Sequence, residues 1–222
     1  MSKTKKLFAV SVLVFAALGC SKPTHQAEKP SRGSLGAGEL SPSDARMLAN
    51  PQVVRSLLGD AAREDDAETI RSLARHHVDV DQTLGEGRTA LSIAAYRRSG
   101  RAVQALLEAG ADPDGKGADL SPLMHAAFVG DTAIALELVR AGAPIDRPTS
   151  MGQTPLMFAA LFGRQDTYDA LARSGADESA QDRVANTPKS LKAYANNADA
   201  IEQFLRRTSA RVADLANGIR GR

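Results

Sequence analysis

The chain has 222 residues, with 28 Lys and Arg against 26 Asp and Glu, a formal net charge of +2, and a single cysteine. One cysteine forms no disulfide within a chain, so packing alone must hold the fold together. The near-neutral charge and the lack of a nucleic-acid-binding motif argue against a nucleic acid partner, since such proteins carry a basic patch.

The N-terminal segment, residues 1–20, has the layout of a secretory signal peptide. Lys3, Lys5 and Lys6 precede an apolar run from Leu7 to Leu18. That run is too short to span a bilayer as a mature helix and is typical of a cleavable signal. Removing these three lysines from the 28 basic side chains leaves 25 against 26 acidic ones, a net charge of −1.

The end of this segment resembles a bacterial lipoprotein signal, because residues 17–20 read Ala-Leu-Gly-Cys. The resemblance implies that Cys20 is lipidated, becomes the first mature residue and anchors the chain on the periplasmic face of the envelope. Ala17 departs from the leucine usual at its position. Ser21 lacks the aspartate associated with inner-membrane retention, so family analogy favours the outer membrane.

Residues 21–41 are rich in Pro, Gly, Ser and charge, which predicts a flexible tether. About 180 residues remain, enough for one domain. We predict that this domain spans residues 42–210 and that a tail at 211–222 follows it. Val212, Leu215 and Ile219 are at helical spacing, which favours a short capping helix over a membrane-surface or partner helix.

A motif of the form [ST]-x-L-x-x-A-A recurs along the domain, beginning at Thr89, Ser121, Thr154 and, in a degenerate copy, Thr187. The steps are 32, 33 and 33 residues. A second marker follows the first three copies at a constant distance of 21 residues, at Gly110, Gly142 and Gly175. A fixed period of this size predicts stacked structural repeats.

Each repeat predicts two helices. The Thr or Ser caps the first helix, and Pro122, Pro155 and Pro188 occupy the first helical position of their copies. The Leu-x-x-Ala-Ala face lets neighbouring helices approach closely. The second helix carries an apolar i, i+3, i+4 stripe, and the glycine ends it. One unit cannot bury its own apolar face, so the stack is the domain.

A 33-residue period with TPLxxAA and a later LLxxGAD resembles the ankyrin repeat. The resemblance extends from Gln52 to Arg207 and implies an all-α solenoid of about five helix-turn-helix repeats, with degenerate copies as caps. Arg98 departs from the pattern because a glycine usually separates the helices there. His76 and His77 replace the glycine-containing turn in the first copy.

Catalysis would need a constellation of side chains, and the sequence presents none. His125 stands where neighbouring copies have Ile93 and Phe158, which predicts a packed histidine with a local hydrogen bond. Adjacent histidines at 76–77 are poorly placed to bind one metal ion, and the acidic turn at 112–119 lacks the later glutamate of a calcium loop. We expect no enzymatic activity, no metal and no cofactor. A hydrolase with an unrecognised site around His125 is the alternative.

In ankyrin repeats, partners usually contact the turn tips and the C-terminal half of each first helix, on the concave side. The resemblance therefore implies a partner-binding face formed on the first helices by Tyr96, Arg97, Phe128, Val129, Leu161, Phe162 and Tyr194. The turns would add a polar rim of Glu86, Arg88, Lys116, Asp119, Arg147 and Met151. The aromatic members predict an apolar band that binds a partner, with coverage of neighbouring helices as the alternative.

These observations predict a monomeric, lipid-anchored periplasmic module that binds another protein, an envelope enzyme, as its inhibitor or immunity protein. One alternative is a scaffold or stabiliser of a periplasmic enzyme. Another is a structural envelope lipoprotein with no specific client. Fold-level analogy carries much of this inference and does not name the partner.

Overall fold

The computed structural model describes residues 48–84, 87–115 and 117–195, and of Tyr194 it describes the backbone alone. All of these residues belong to one compact unit. Several predicted features lie outside the described residues, namely Cys20, the tether at 21–41, Glu86, Lys116, the side chain of Tyr194 and the tail at 211–222.

The described residues form helix pairs that follow the predicted period. The bounds are α1 Pro51–Glu64, α2 Ala67–Arg75, α3 Ala90–Arg97, α4 Gly100–Glu108, α5 Pro122–Val129, α6 Thr132–Arg140, α7 Pro155–Leu161, α8 Gln165–Arg173 and α9 Pro188–Ala195. In this part of the chain four pairs are complete, and α9 is the first helix of a fifth. The prediction of an all-α stack of helical repeats is confirmed. None of the described helices is long and apolar enough to cross a membrane.

Side-chain caps start the first helices, as predicted. Thr89 Oγ1 accepts a hydrogen bond of 3.3 Å from the amide three residues on, and Ser121 Oγ accepts one of 3.2 Å. Thr154 and Thr187 repeat this contact at 3.4 Å and 3.1 Å. Each cap satisfies a helical amide that has no partner within its own helix.

A residue with positive φ joins the two helices of each complete pair. These residues are Asp65, Arg98, Gly130 and Gly163, with φ of 58°, 63°, 77° and 64°. Arg98 therefore keeps the backbone conformation that glycine adopts in the next repeats. For a residue with a Cβ this conformation costs about 1–2 kcal/mol. The departure from the family pattern changes the energy of the turn and leaves its geometry intact.

The first helices α1, α3, α5, α7 and α9 pack side by side in one row, and the second helices pack against them and against one another. Leu91, Ala94 and Ala95 of α3 are fully buried, and the small alanines allow the neighbouring helices to approach. The second helices contribute a leucine ladder to the core, formed by Leu73, Leu106, Leu138 and Leu171. The repeat period thus appears directly in the hydrophobic core.

Aspartate side chains connect the turns of successive repeats. Asp81 Oδ1 accepts a hydrogen bond of 2.9 Å from the amide of Asp112, and Asp146 Oδ1 accepts one of 2.9 Å from the amide of Asp177. Within the stretches that the structure describes, no group of three or more His, Cys, Asp or Glu side chains could hold a metal ion. These aspartates therefore serve as contacts between successive repeats.

Candidate functional site

Three aromatic side chains from three successive repeats form a continuous row, which we call the aromatic row: Tyr96, Phe128 and Phe162. The rings of Tyr96 and Phe128 have centroids 6.0 Å apart with 22° between their planes. The rings of Phe128 and Phe162 are 4.4 Å apart at 69°. Both separations are typical of attractive aromatic contacts. These three rings line up as the predicted apolar band requires, while the fourth predicted member, the Tyr194 side chain, lies outside the described residues and the role of the band in binding a partner stays a prediction.

The repeat register explains the row. Tyr96 and Phe128 each follow the Ala-Ala pair of a first helix, and the close packing of α3 on α5 brings the two positions together. In the next repeat Leu161 holds that position, and Phe162 follows it at the C-cap of α7. The three aromatic side chains, together with Val129 and Leu161, are partly exposed. The row therefore presents an apolar strip across three repeats.

His125 lies against the aromatic row, with its ring centroid 5.9 Å from that of Tyr96 at 83°. Its side chain is buried, and Nδ1 donates a hydrogen bond of 3.0 Å to the carbonyl oxygen of Ser121. Burial lowers the pKa of His125 to about 4; the Ser121 hydrogen bond acts in the opposite direction, and the positive charge of Arg88 adds to the lowering. His125 is therefore neutral near pH 7. The prediction of a packed, locally hydrogen-bonded histidine is confirmed.

Basic side chains border the aromatic row. The sequence predicted a partner-binding role for one of them, Arg97. Arg97, the last residue of α3, is exposed. Arg98 is also largely exposed, and its Nε lies 3.3 Å from Asp131 Oδ2. The Asp131 carboxylate is shared, because its Oδ1 accepts a hydrogen bond of 3.1 Å from the amide of Ile134 and so caps α6. The Asp131 carboxylate is thus engaged within the protein, where α5 connects to α6.

Arg164 makes a hydrogen bond to the backbone of the aromatic row, and the sequence did not predict this contact. Its Nε donates a hydrogen bond of 3.0 Å to the carbonyl oxygen of Phe128. Its side chain lies across Gly130, where an added Cβ would come within 2.6 Å of Arg164 Cδ. Gly130 therefore provides both the left-handed turn and the space for this arginine. The contact joins residues 36 positions apart, which is not a local sequence pattern.

The predicted polar rim is described at Arg88, Asp119, Arg147 and Met151. Asp119 Oδ1 accepts a hydrogen bond of 2.6 Å from the amide of Ser150. The carbonyl oxygen of Met151 accepts one of 2.9 Å from the amide of Arg183. Each contact joins the turn of one repeat to the turn of the next, so Asp119 and Met151 help to hold successive turns together.

Arg147 has a structural task that its predicted place in the rim did not include. Its Nη1 donates hydrogen bonds of 2.7 Å to the carbonyl oxygen and 3.0 Å to the carboxylate of Asp114. Its Nη2 donates to the carbonyl oxygen of Ala118. The side chain is 18% exposed. Arg147 therefore holds the turn of the preceding repeat in place, and its predicted contact with a partner stays a prediction.

A stack of helix pairs with an apolar row on its first helices defines a helical-repeat protein. The family model described as ankyrin repeats (3 copies) matches residues 58–149 and 110–182. The chain belongs to the ankyrin-repeat family, and this membership implies protein–protein interaction.

Two curated relatives illustrate how far the similarity extends. The chain is 38% identical over 160 residues to Protein PhlB of Serratia liquefaciens, which covers 71% of this chain and 67% of that protein. It is 33% identical over 150 residues to SH3 and multiple ankyrin repeat domains protein 2 of Homo sapiens, which covers 66% of this chain but 8% of that protein. The similarity to the human protein is thus confined to a small part of its length.

Proposed function

We propose that this ankyrin-repeat protein binds a partner protein through the aromatic row while a lipid on Cys20 anchors it at the periplasmic face of a bacterial envelope. The proposed partner is an envelope enzyme, and the proposed effect is inhibition, as by an immunity protein. One observation supports the binding face above all: Tyr96, Phe128 and Phe162 form a contiguous, partly exposed strip. Large aromatic side chains of this kind dominate the energetics of protein interfaces.

The three rings of the aromatic row are partly exposed, whereas the core between the first helices is formed by smaller side chains. Leu123, Ala126 and Ala127 of α5 are fully buried and fill the space between neighbouring first helices. Burying a further 50 Å² or so of each ring would contribute about 1 kcal/mol a ring. Since association itself costs at least about 4 kcal/mol, the row would be the centre of a larger interface.

Affinity capture tests the binding face. The doubly substituted protein Phe128→Arg, Phe162→Arg places two charges on the row, so we expect it to lose partners that the tagged wild-type protein retains from envelope fractions of its own cells. A matched control is Leu107→Arg, Val139→Arg, which changes two partly exposed apolar residues of the second helices. Far-UV circular dichroism checks that both variants stay helical. Capture unaffected by the first pair, or lost equally with the control pair, would contradict the proposal.

The inhibitor proposal is tested on the captured enzyme. Adding the purified protein should lower the turnover of that enzyme, and the Phe128→Arg, Phe162→Arg protein should not. Unchanged turnover with a longer half-life of the enzyme would instead identify a stabiliser. The membrane anchor is tested separately with Cys20→Ser, which should move the protein from the membrane pellet to the soluble fraction. A protein that stays in the pellet would rule out anchoring by that lipid.

A further inference from the structure

The charges around the aromatic row are unevenly distributed along the stack. We call the residues that connect the two helices of a repeat, with the helix ends beside them, its joint. The joint of the first repeat is acidic, with Glu64, Asp65 and Asp66. The joints of the next three repeats carry four arginines against two carboxylates: Arg97, Arg98, Arg101, Arg164, Asp131 and Asp166. The part of the stack that contains the aromatic row is therefore bordered by an excess of positive charge. We call these arginines the positive rim, which is distinct from the polar rim of the turns.

The donors of this rim are positioned by the fold. Within the described part of the chain, the Arg164 guanidinium makes one hydrogen bond, through Nε to Phe128. A guanidinium has five N–H donors, so its two Nη groups are available to bind a carboxylate. Arg97 is exposed on α3 beside Tyr96. Asp131 is 18% exposed, pairs with Arg98 and caps the start of α6.

We infer that the segment bound by the aromatic row is an acidic amphipathic stretch of the partner protein. Its apolar side chains contact Tyr96, Phe128 and Phe162, and its Asp or Glu side chains pair with Arg97 and Arg164. This inference rests on the proposed function and adds the chemistry of the partner to it. Charge complementarity of this kind sets the orientation and the rate of binding more than its strength.

Fluorescence anisotropy with matched probes tests the inference on the purified protein. The first probe is a fluorescein-labelled helical peptide with Leu and Phe along one face and Glu elsewhere. The second replaces every Glu with Lys, and the third is a labelled oligothymidylate, because aromatic rings with arginines also suit single-stranded nucleic acid. We expect the Glu peptide to bind about tenfold or more tightly than the Lys peptide, with a preference that shrinks as salt rises.

Two sets of variants assign that preference to the rim. Arg97→Gln with Arg164→Gln should remove it, and the glutamine at 164 retains an N–H donor for the Phe128 carbonyl. The matched control is Arg140→Gln with Arg173→Gln, which removes two exposed arginines from the last turns of α6 and α8 and should leave the preference unchanged.

The outcomes separate this inference from the proposed function. Equal affinity for the two peptides, a preference that survives in the Arg97, Arg164 variant, or no binding of either peptide up to about 1 mM would overturn the acidic-segment inference. Partner capture that still depends on Phe128 and Phe162 would leave the proposed function standing. Tighter binding of the oligothymidylate than of both peptides, lost in the same arginine variant, would overturn the inference in favour of a nucleic acid.

Discussion

Arg147 is the residue whose removal should most clearly test how the turns are held. In Arg147→Met the aliphatic part of the side chain is largely kept, and the hydrogen bonds to the carbonyl oxygens of Asp114 and Ala118 are lost. The ion pair with the Asp114 carboxylate disappears as well. The perturbation is thus the loss of charge-assisted hydrogen bonds at nearly constant volume.

The magnitude follows from the exposure of the partners. A hydrogen bond to a charged group contributes about 1.5–3 kcal/mol, and two backbone carbonyls are involved. The Asp114 carboxylate is 34% exposed, so its ion pair adds at most about 1 kcal/mol after solvent screening. Because water can replace part of these contacts in a surface turn, we expect the free energy of unfolding to fall by about 3 kcal/mol.

Urea denaturation followed by far-UV circular dichroism measures this change, with Arg140→Met as the control for an exposed arginine that should cost less than about 0.5 kcal/mol. Repeat arrays can open locally, so hydrogen exchange should also be faster in the turn residues 114–115 and 117–119. Arg147→Lys should lie in between, since an ammonium cannot span both carbonyls in the same way. A loss below about 1 kcal/mol without faster exchange in this turn would refute the reasoning.

Two further predictions concern buried polar groups. The pKa of His125 in the folded protein, about 4, lies below the ordinary value of 6.5, so its contribution to stability is complete above pH 6.5 and decreases as the pH falls toward 4. The decrease should reach about 3 kcal/mol, and His125→Phe should lack that part of the pH dependence in denaturation curves; identical pH profiles would contradict the assignment. The hydroxyl of Ser72 is buried without a hydrogen-bond partner among the described residues. Ser72→Ala should therefore raise the free energy of unfolding by about 1 kcal/mol, and a lower denaturation midpoint would argue against this.

The features that recur from repeat to repeat could be predicted from the sequence, because each depends on residues that lie close together within one repeat. The caps at Thr89 and Ser121, the buried Ala-Ala pairs and the alignment of Tyr96 with Phe128 all depend on residues a few positions apart plus a fixed period. His125 was also predictable, since the same position in neighbouring copies is apolar. The period supplies the long-range contacts once the local units are known.

The missed features are those that break the period. Arg164 reaches Phe128 only because Gly130 has no side chain in its way, and no other repeat has this combination of residues. Arg147 was predicted in the polar rim of the partner-binding face, whereas its hydrogen bonds to Asp114 and Ala118 hold it largely buried. Neither contact has a counterpart that a comparison of the repeats would reveal.

The three rings of the aromatic row belong to three different repeats, and this has a mechanical consequence. In a repeat array, stability is approximately a sum of the stability of each unit and of the interfaces between neighbours. A partner bound along Tyr96, Phe128 and Phe162 would connect two of those interfaces at once. We expect the bound stack to unfold as one unit under force and the free stack to unfold repeat by repeat. The bound partner would then stabilise the protein against mechanical unfolding.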